Sequence, residues 1–161
     1  MAGKADGTFL GIINAASHSP QLTKVALPVD ERSRALGPIV VQPRRQSPLA
    51  ILFHDHAADV NAPNLATLVQ LDPNRDGSFS DATILKQIEV GASDVVGHGG
   101  HHDLAGDAAG KFAWFTNPGD GTLSVLSLEQ LEVLATYPLA GKPARLVSFG
   151  GPGKGPLYDS K

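Results

Sequence analysis

The chain contains no cysteine. Its absence removes disulfides, thiolate nucleophiles and Cys-ligated zinc or iron–sulfur centres. It leaves the compartment open, because secreted and cytosolic proteins alike can do without disulfides. Residues 1–6 lack the apolar core of a signal peptide. A periplasmic or secreted mature chain is the preferred expectation, with the cytoplasm as the alternative. Long apolar runs are also missing. None approaches the roughly 18 residues that a membrane span requires, so no membrane span is expected. Charge is scarce at 18%, with a formal net charge of −3. Arg44–Arg45 is the one basic pair. No cationic face for a phosphate backbone follows from it, and nucleic acid is not an expected partner. Neither a Gly-x-Ser-x-Gly elbow, a P-loop nor a dinucleotide fingerprint is present in strand–helix context.

Turn formers are abundant, with 18 glycines and 12 prolines spread along 161 residues. That spacing implies many turns between short elements of one domain. The apolar pattern is mostly that of strands. Leu123, Val125 and Leu126 alternate with small or polar residues over 122–128, and a second apolar run follows at 133–139. Stretch 126–135 could support two helical turns, but its flanks favour a hairpin. An aromatic strand, 111–116, carries Phe112, Trp114 and Phe115 and ends at a dense Pro118–Gly119–Asp120–Gly121 turn signal. Phe112, Trp114 and Phe115 are expected in a sheet core. Further strands are predicted at 8–13, 22–27, 38–41, 49–53, 66–71, 84–90 and 144–149.

The pattern repeats. Stretch 66–71 is similar to 121–126, 84–90 to 133–139, and 49–53 to 112–115. Gly91 and Gly141, which close the second pair, lie 50 positions apart, as a four-stranded propeller blade needs. The expected fold class is therefore all-β, with antiparallel blades of a β-propeller-like repeat. The divisions are a weak blade at about 8–47, a second at about 48–97, the clearest at about 98–149, and a tail at 150–161. About three blades leave the ring incomplete within one chain, since propellers have at least four. A three-layer sandwich and an irregular barrel remain open.

The stretch around Gly110–Asn117, followed by Gly121-Thr122-Leu123-Ser124-Val125 and then Gly141–Pro143, resembles the repeats of the YVTN-type β-propeller superfamily. In those repeats a strand ending in Thr-Asn is followed by a Gly-Thr-Val-Ser-Val strand and a Gly-x-x-Pro link. Asn117, Gly121, Gly141 and Pro143 fall on that pattern. Residues 98–149 match it fully, 48–91 loosely and the first 47 poorly. Leu71-Asp72-Pro73, Val90-Gly91 and His101-His102 are more distantly similar to selenium-binding-protein-like propellers. The cysteines that family uses are absent, so its activity is not carried over.

Five of the six histidines fall into two groups. One is His54-Asp55-His56, with Asp59 beyond. The other is His98-Gly99-Gly100-His101-His102-Asp103. A strand would aim His54 and His56 to one face, and the glycines would let His98 and His101 converge. Imidazoles with the Asp103 carboxylate can ligate a transition metal, copper or zinc foremost. The competing explanation is polar loop residues with satisfied hydrogen bonds. A general base at His101 or His102 is a third reading.

A second candidate runs from Asp72 to Asp81. Asp72, Asn74, Asp76 and Gly77 occupy positions 1, 3, 5 and 6 of a calcium loop, and Asp81 adds a carboxylate. Thr83 stands at position 12, where a bidentate Glu belongs. The same residues also make ordinary turns without an ion.

Three functions compete on these grounds. The first is a metal-binding propeller-like protein, with histidines from adjacent repeats on one ion and Ca²⁺ in the Asp72–Asp81 loop. The second is a non-enzymatic structural or assembly subunit. It would complete a β-sheet assembly with copies of itself or with a larger protein partner. The third is a lactonase-like, metal-assisted hydrolase fragment.

Overall fold

A computed structural model describes residues 8–15, 18–29, 38–54, 63–93 and 102–147. Every regular element in them is a strand. Phe9–Ile13 (β1) and Leu22–Ala26 (β2) pair antiparallel as a first, two-stranded sheet. Ile39–Val41 (β3), Leu49–His54 (β4), Asn64–Gln70 (β5) and Thr83–Val90 (β6) form a second sheet in simple meander order. Leu104–Gly106 (β7), Phe112–Asn117 (β8), Thr122–Ser127 (β9) and Glu132–Pro138 (β10) form a third sheet with the same order. The fold is all-β, with three separate antiparallel sheets, and the described residues do not close a ring.

Two details differ from the sequence reading. Residues 144–147 are not in a strand; there the Leu146 N–H donates to Asp103 Oδ2 at 2.9 Å. Strand β7 was not predicted, because three residues carry no readable period. At 126–135 the hairpin wins over the helix. The Leu131 N–H donates to the Ser127 carbonyl at 2.9 Å, and Leu131 takes the left-handed φ of 55° that the four-residue turn requires.

The alternation of side chains along each strand stacks the sheets. All six residues of β4 are buried, because this strand is covered on both faces. Leu49, Ile51 and Phe53 join Leu68, Ile88 and Val90 in one core with Leu104, Ala113, Phe115, Leu126 and Leu128 of the third sheet and its turn. Ala50, Leu52 and Val69 point the other way, onto Leu10, Val25 and Leu27 of the first sheet and its flank. Each large side chain fully buried this way contributes about 1.5–3 kcal/mol. Two bonds pin the first sheet to the second: Asn14 Nδ2 to the Gly77 carbonyl at 3.1 Å, and Gln87 Nε2 to the Pro28 carbonyl at 3.3 Å.

The four-stranded sheets are built alike, residue by residue. Ala50 pairs with Val69, and Ala113 with Leu126. Thr67, facing the first sheet, takes a hydrogen bond from Gln87 of the adjacent strand; its counterpart Ser124 shares a hydrogen bond with Thr136 of the equivalent strand. Each sheet carries one extra residue at the same point of its last strand, Leu85 in β6 and Leu134 in β10. The bulges leave both leucines exposed. The spacing between equivalents is not constant. It falls from 63 for Ala50 and Ala113 to 49 for Ile84 and Val133, because the second sheet's connections are longer.

Backbone meets backbone where the sheets join. Gly110, at φ 63°, donates no side chain because a Cβ there would lie 2.5 Å from the Gln42 carbonyl oxygen. Its own carbonyl accepts the Arg44 N–H at 2.9 Å. Next to it, β3 and β7 run side by side, with Gly106 packed on Val41.

Candidate functional site

His54 is the last residue of β4 and is buried. Strand alternation sends Phe53 toward the third sheet and His54 to the opposite side. His102, on the approach to β7, stacks on the Phe53 ring at 4.7 Å. The two histidines therefore lie on opposite faces of one sheet. His56, His98 and His101 lie outside the described residues.

The bonding of His102 is that of a structural residue. Its Nδ1 lies 2.7 Å from the Thr116 carbonyl oxygen, which can only accept, so Nδ1 carries the proton and donates. Its Nε2 lies 3.1 Å from Asn64 Nδ2, which donates to it. Both ring nitrogens are engaged in the neutral form, and neither presents a lone pair to an ion. Asp103 is committed as well. Its carboxylate accepts the N–H of Leu104 at 3.0 Å and of Leu146 at 2.9 Å.

The Asp72–Asp81 loop closes on its own backbone. Asp72 accepts the N–H of Asp76 at 3.1 Å and of Gly77 at 3.0 Å, one on each carboxylate oxygen. Asp76 accepts the Ser78 N–H, and Asp81 accepts that of Asn74. Only the Asp76–Ser78 bond has the two-residue span of an Asx turn; the others tie the loop across longer spans. Among the described residues no three His, Cys, Asp or Glu side chains converge to hold a metal ion. The metal expectation is corrected accordingly: His54, His102 and Asp103 do not form a copper or zinc centre. The metal-assisted hydrolase reading, which needs a metal-bound water, falls with them.

One cleft of about 390 Å³ opens between the β3–β4 and β7–β8 turns, where Arg44, Arg45 and Lys111 face Glu129. Its lining holds three cations and one carboxylate and brings no nucleophile to a base.

What the fold does leave open is a sheet face. Rows of paired residues identify it. Trp114, Val125 and Ala135 form one row, and Thr116, Leu123 and Tyr137 the next. They point away from the core that joins the second and third sheets. Trp114, Leu123, Val125 and Ala135 are half-buried and Tyr137 is 53% exposed, while Thr116 is fully buried. Of the equivalent residues of the second sheet, Ile51, Phe53, Leu68, Ala66 and Ile88 are buried beneath the third sheet, whereas Lys86, the equivalent of Ala135, stays partly exposed and pairs with Glu132. Phe115 does lie in the core as expected, whereas Phe112 and Trp114 belong to the open face. Period-two alternation carried that signal, but alternation alone does not say which face is covered.

At the other end of the stack the first sheet presents Phe9, Ile13 and Leu22 outward, 40%, 59% and 53% exposed. The Lys24 ammonium lies over the Phe9 ring at 4.6 Å. Among the described residues no helix is long and apolar enough to cross a membrane. Compared with protein-family models, curated proteins and solved structures, the chain matches none.

Proposed function

We propose that this chain is a non-enzymatic assembly subunit whose stacked sheets are part of a larger, propeller-like β-sheet assembly. The open face around Trp114, Val125 and Tyr137 carries this reading. A soluble sheet with one apolar face uncovered exposes a patch of the kind that marks interaction sites. The third sheet repeats the second down to its bulge, so its outer face stands where the second sheet holds its neighbour. Strands β3 and β7, at one edge of the two sheets, are in contact, and at the other edge Lys86 of β6 pairs with Glu132 of β10 at 3.1 Å. Face-to-face sheets in the same strand order fit neighbouring blades. The YVTN-type resemblance of 98–149 supports the same reading, since Asn117 sits at a repeat junction, bonded to Gly91.

Light scattering on the purified chain over a range of concentrations tests the proposal. The expected mass exceeds that of one chain. A strict monomer at every concentration, with Trp114 quenching that does not change with concentration, overturns it.

A further inference from the structure

We propose that the open edge of β1 is a docking site for one extended, apolar β-strand of a partner protein, added antiparallel to β1. This goes beyond the assembly reading above, since it concerns the opposite end of the stack from Trp114. The first sheet has the register of the last two strands of each four-stranded sheet. Leu10 pairs with Val25 as Ala66 pairs with Ile88. The Leu27 N–H donates to the Thr8 carbonyl at 2.9 Å, as the Leu139 N–H does to the Gly121 carbonyl at 2.8 Å. Leu10, Ile12, Val25 and Leu27 therefore stand where Ala66, Leu68, Ile88 and Val90 stand in the second sheet. The packing agrees. The first set meets Ala50, Leu52 and Val69, and the second meets their counterparts Ala113, Phe115 and Leu126.

What the first sheet lacks is the strand beside β1. In the second sheet β4 fills that place against β5, and in the third β8 fills it against β9. Among the described residues no strand pairs with that edge of β1. Because the Thr8 carbonyl turns to β2, alternation turns the N–H and C=O groups of Phe9, Gly11 and Ile13 to the open edge. Val40 marks the same gap. It pairs with Ala50, shares its face toward the first sheet, and is 39% exposed. Its counterpart in the third sheet, Gly106, packs on Val41.

The edge also lacks the devices that blunt exposed edges, namely shortness, charge, proline and bulges. Strands β3 and β7 have three residues each, and β2 carries Lys24. Strands β6 and β10 carry bulges and the Lys86–Glu132 pair, and β10 ends in Pro138. Strand β1 is Phe-Leu-Gly-Ile-Ile in unbroken register.

The occupant follows from the equivalence. Strand β4 runs antiparallel to β5 and sends Ile51 and Phe53 to the side that meets the next sheet. The fitting strand is therefore extended and apolar at alternate positions. A second copy does not supply it. Its β4 and β8 are paired on both edges. Its β1, joined antiparallel about a two-fold axis, would set its own second sheet on the side where β3 and β4 already lie. Strand addition of this kind takes affinity from main-chain bonds and specificity from alternate side chains.

Amide hydrogen exchange on the full chain tests the site, with a synthetic peptide of residues 110–118 as the probe strand. The amides of Phe9, Gly11 and Ile13 are expected to slow roughly tenfold or more at saturation, while those of Leu10 and Ile12, turned to β2, hold. The same peptide with Trp114→Asp is expected to give no slowing, because that side chain would face the second sheet. Gly11→Pro removes an edge donor and no β1–β2 bond, and is expected to abolish the effect. Gly11→Ala keeps the donor and the effect. Circular dichroism checks the fold, and Ile13→Pro with Ile13→Ala replaces the pair if Gly11→Pro does not fold. Edge amides unmoved by the peptide, or slowed equally in Gly11→Pro, overturn the inference. Protection of those amides in the wild type alone also overturns it, because the chain itself or a second copy then fills the edge. Light scattering reads the assembly proposal separately: a monomer whose edge amides the peptide protects loses that proposal and keeps this one.

Discussion

Asn117 Oδ1 accepts the backbone N–H of Gly91 at 3.1 Å and so ties the end of β6 to the end of β8. The same amide donates through Nδ2 to Thr122 Oγ1 at 3.0 Å and Ser124 Oγ at 2.9 Å. Gly91 is fixed by this contact, because a Cβ there would collide with the Asn117 side chain. One fully buried amide thus holds the second sheet, the third sheet and the turn between β8 and β9 in register.

Asn117→Ala should be among the costliest single changes in the chain. It removes three hydrogen bonds and strands a backbone N–H, for a loss of roughly 2–4 kcal/mol. Urea unfolding measures it; a loss below about 1 kcal/mol would mean that water replaces the amide.

His102 separates packing from hydrogen bonding. His102→Ala should cost roughly 2–4 kcal/mol, from the lost Phe53 stack and two lost bonds. His102→Phe keeps a ring on Phe53 but leaves Asn64 Nδ2 and the Thr116 carbonyl without their present partner, so it should fall between wild type and alanine. Nitrogen-15 shifts of the imidazole should report the proton on Nδ1. A proton on Nε2 would contradict the bonding described above.

Gly110→Ala forces a Cβ onto the Gln42 carbonyl at a left-handed φ of 63°. The expected destabilisation is at least about 2 kcal/mol, more than a surface glycine would show. Gly77, also at positive φ but with open space around it, is the control. Gly77→Ala should cost only the backbone term of about 1 kcal/mol.

Asp72→Ala should lower stability by about 1 kcal/mol through two lost turn bonds. The loss should be the same in calcium and in chelator, because backbone N–H groups are what the carboxylate holds. A loss that develops only when calcium is present would return the loop to an ion-binding role.

Lys86 and Glu132 are exposed partners, so Glu132→Gln should change stability by less than about 1 kcal/mol. Added salt should shrink even that difference.

The strands were legible because their signal is local. The buried run at 49–54, the alternation at 122–128 and the turn cluster after Asn117 each lie within one short window. The correspondence of 49–53 with 112–115 and of 84–90 with 133–139 survives in the pairing of the sheets. The correspondence of 66–71 with 121–126 shifts by two residues, since Thr67 matches Ser124. A shift of two keeps the same face outward, so the pattern alone could not expose the slip.

The candidate site was not legible in the same way. Histidines close in sequence suggested a shared ion, but convergence is a property of three dimensions. The alternation at Phe53 and His54, a single residue apart, divides His54 from His102 across the thickness of a sheet. The acidic spacing at 72–81 fits both a calcium loop and ordinary turns, because the same oxygen-bearing residues serve either.

Composition and period by themselves determined that this protein is all-β, has no thiol chemistry, and is built of repeating short strands that bury alternate residues. Tertiary structure decided which alternate set is covered. It spends Ile51 and Leu68 inside the stack and leaves Trp114, Val125 and Tyr137 at its end. The reason is physical: a strand specifies two faces with equal clarity, and only the neighbouring sheet turns one of them into a core.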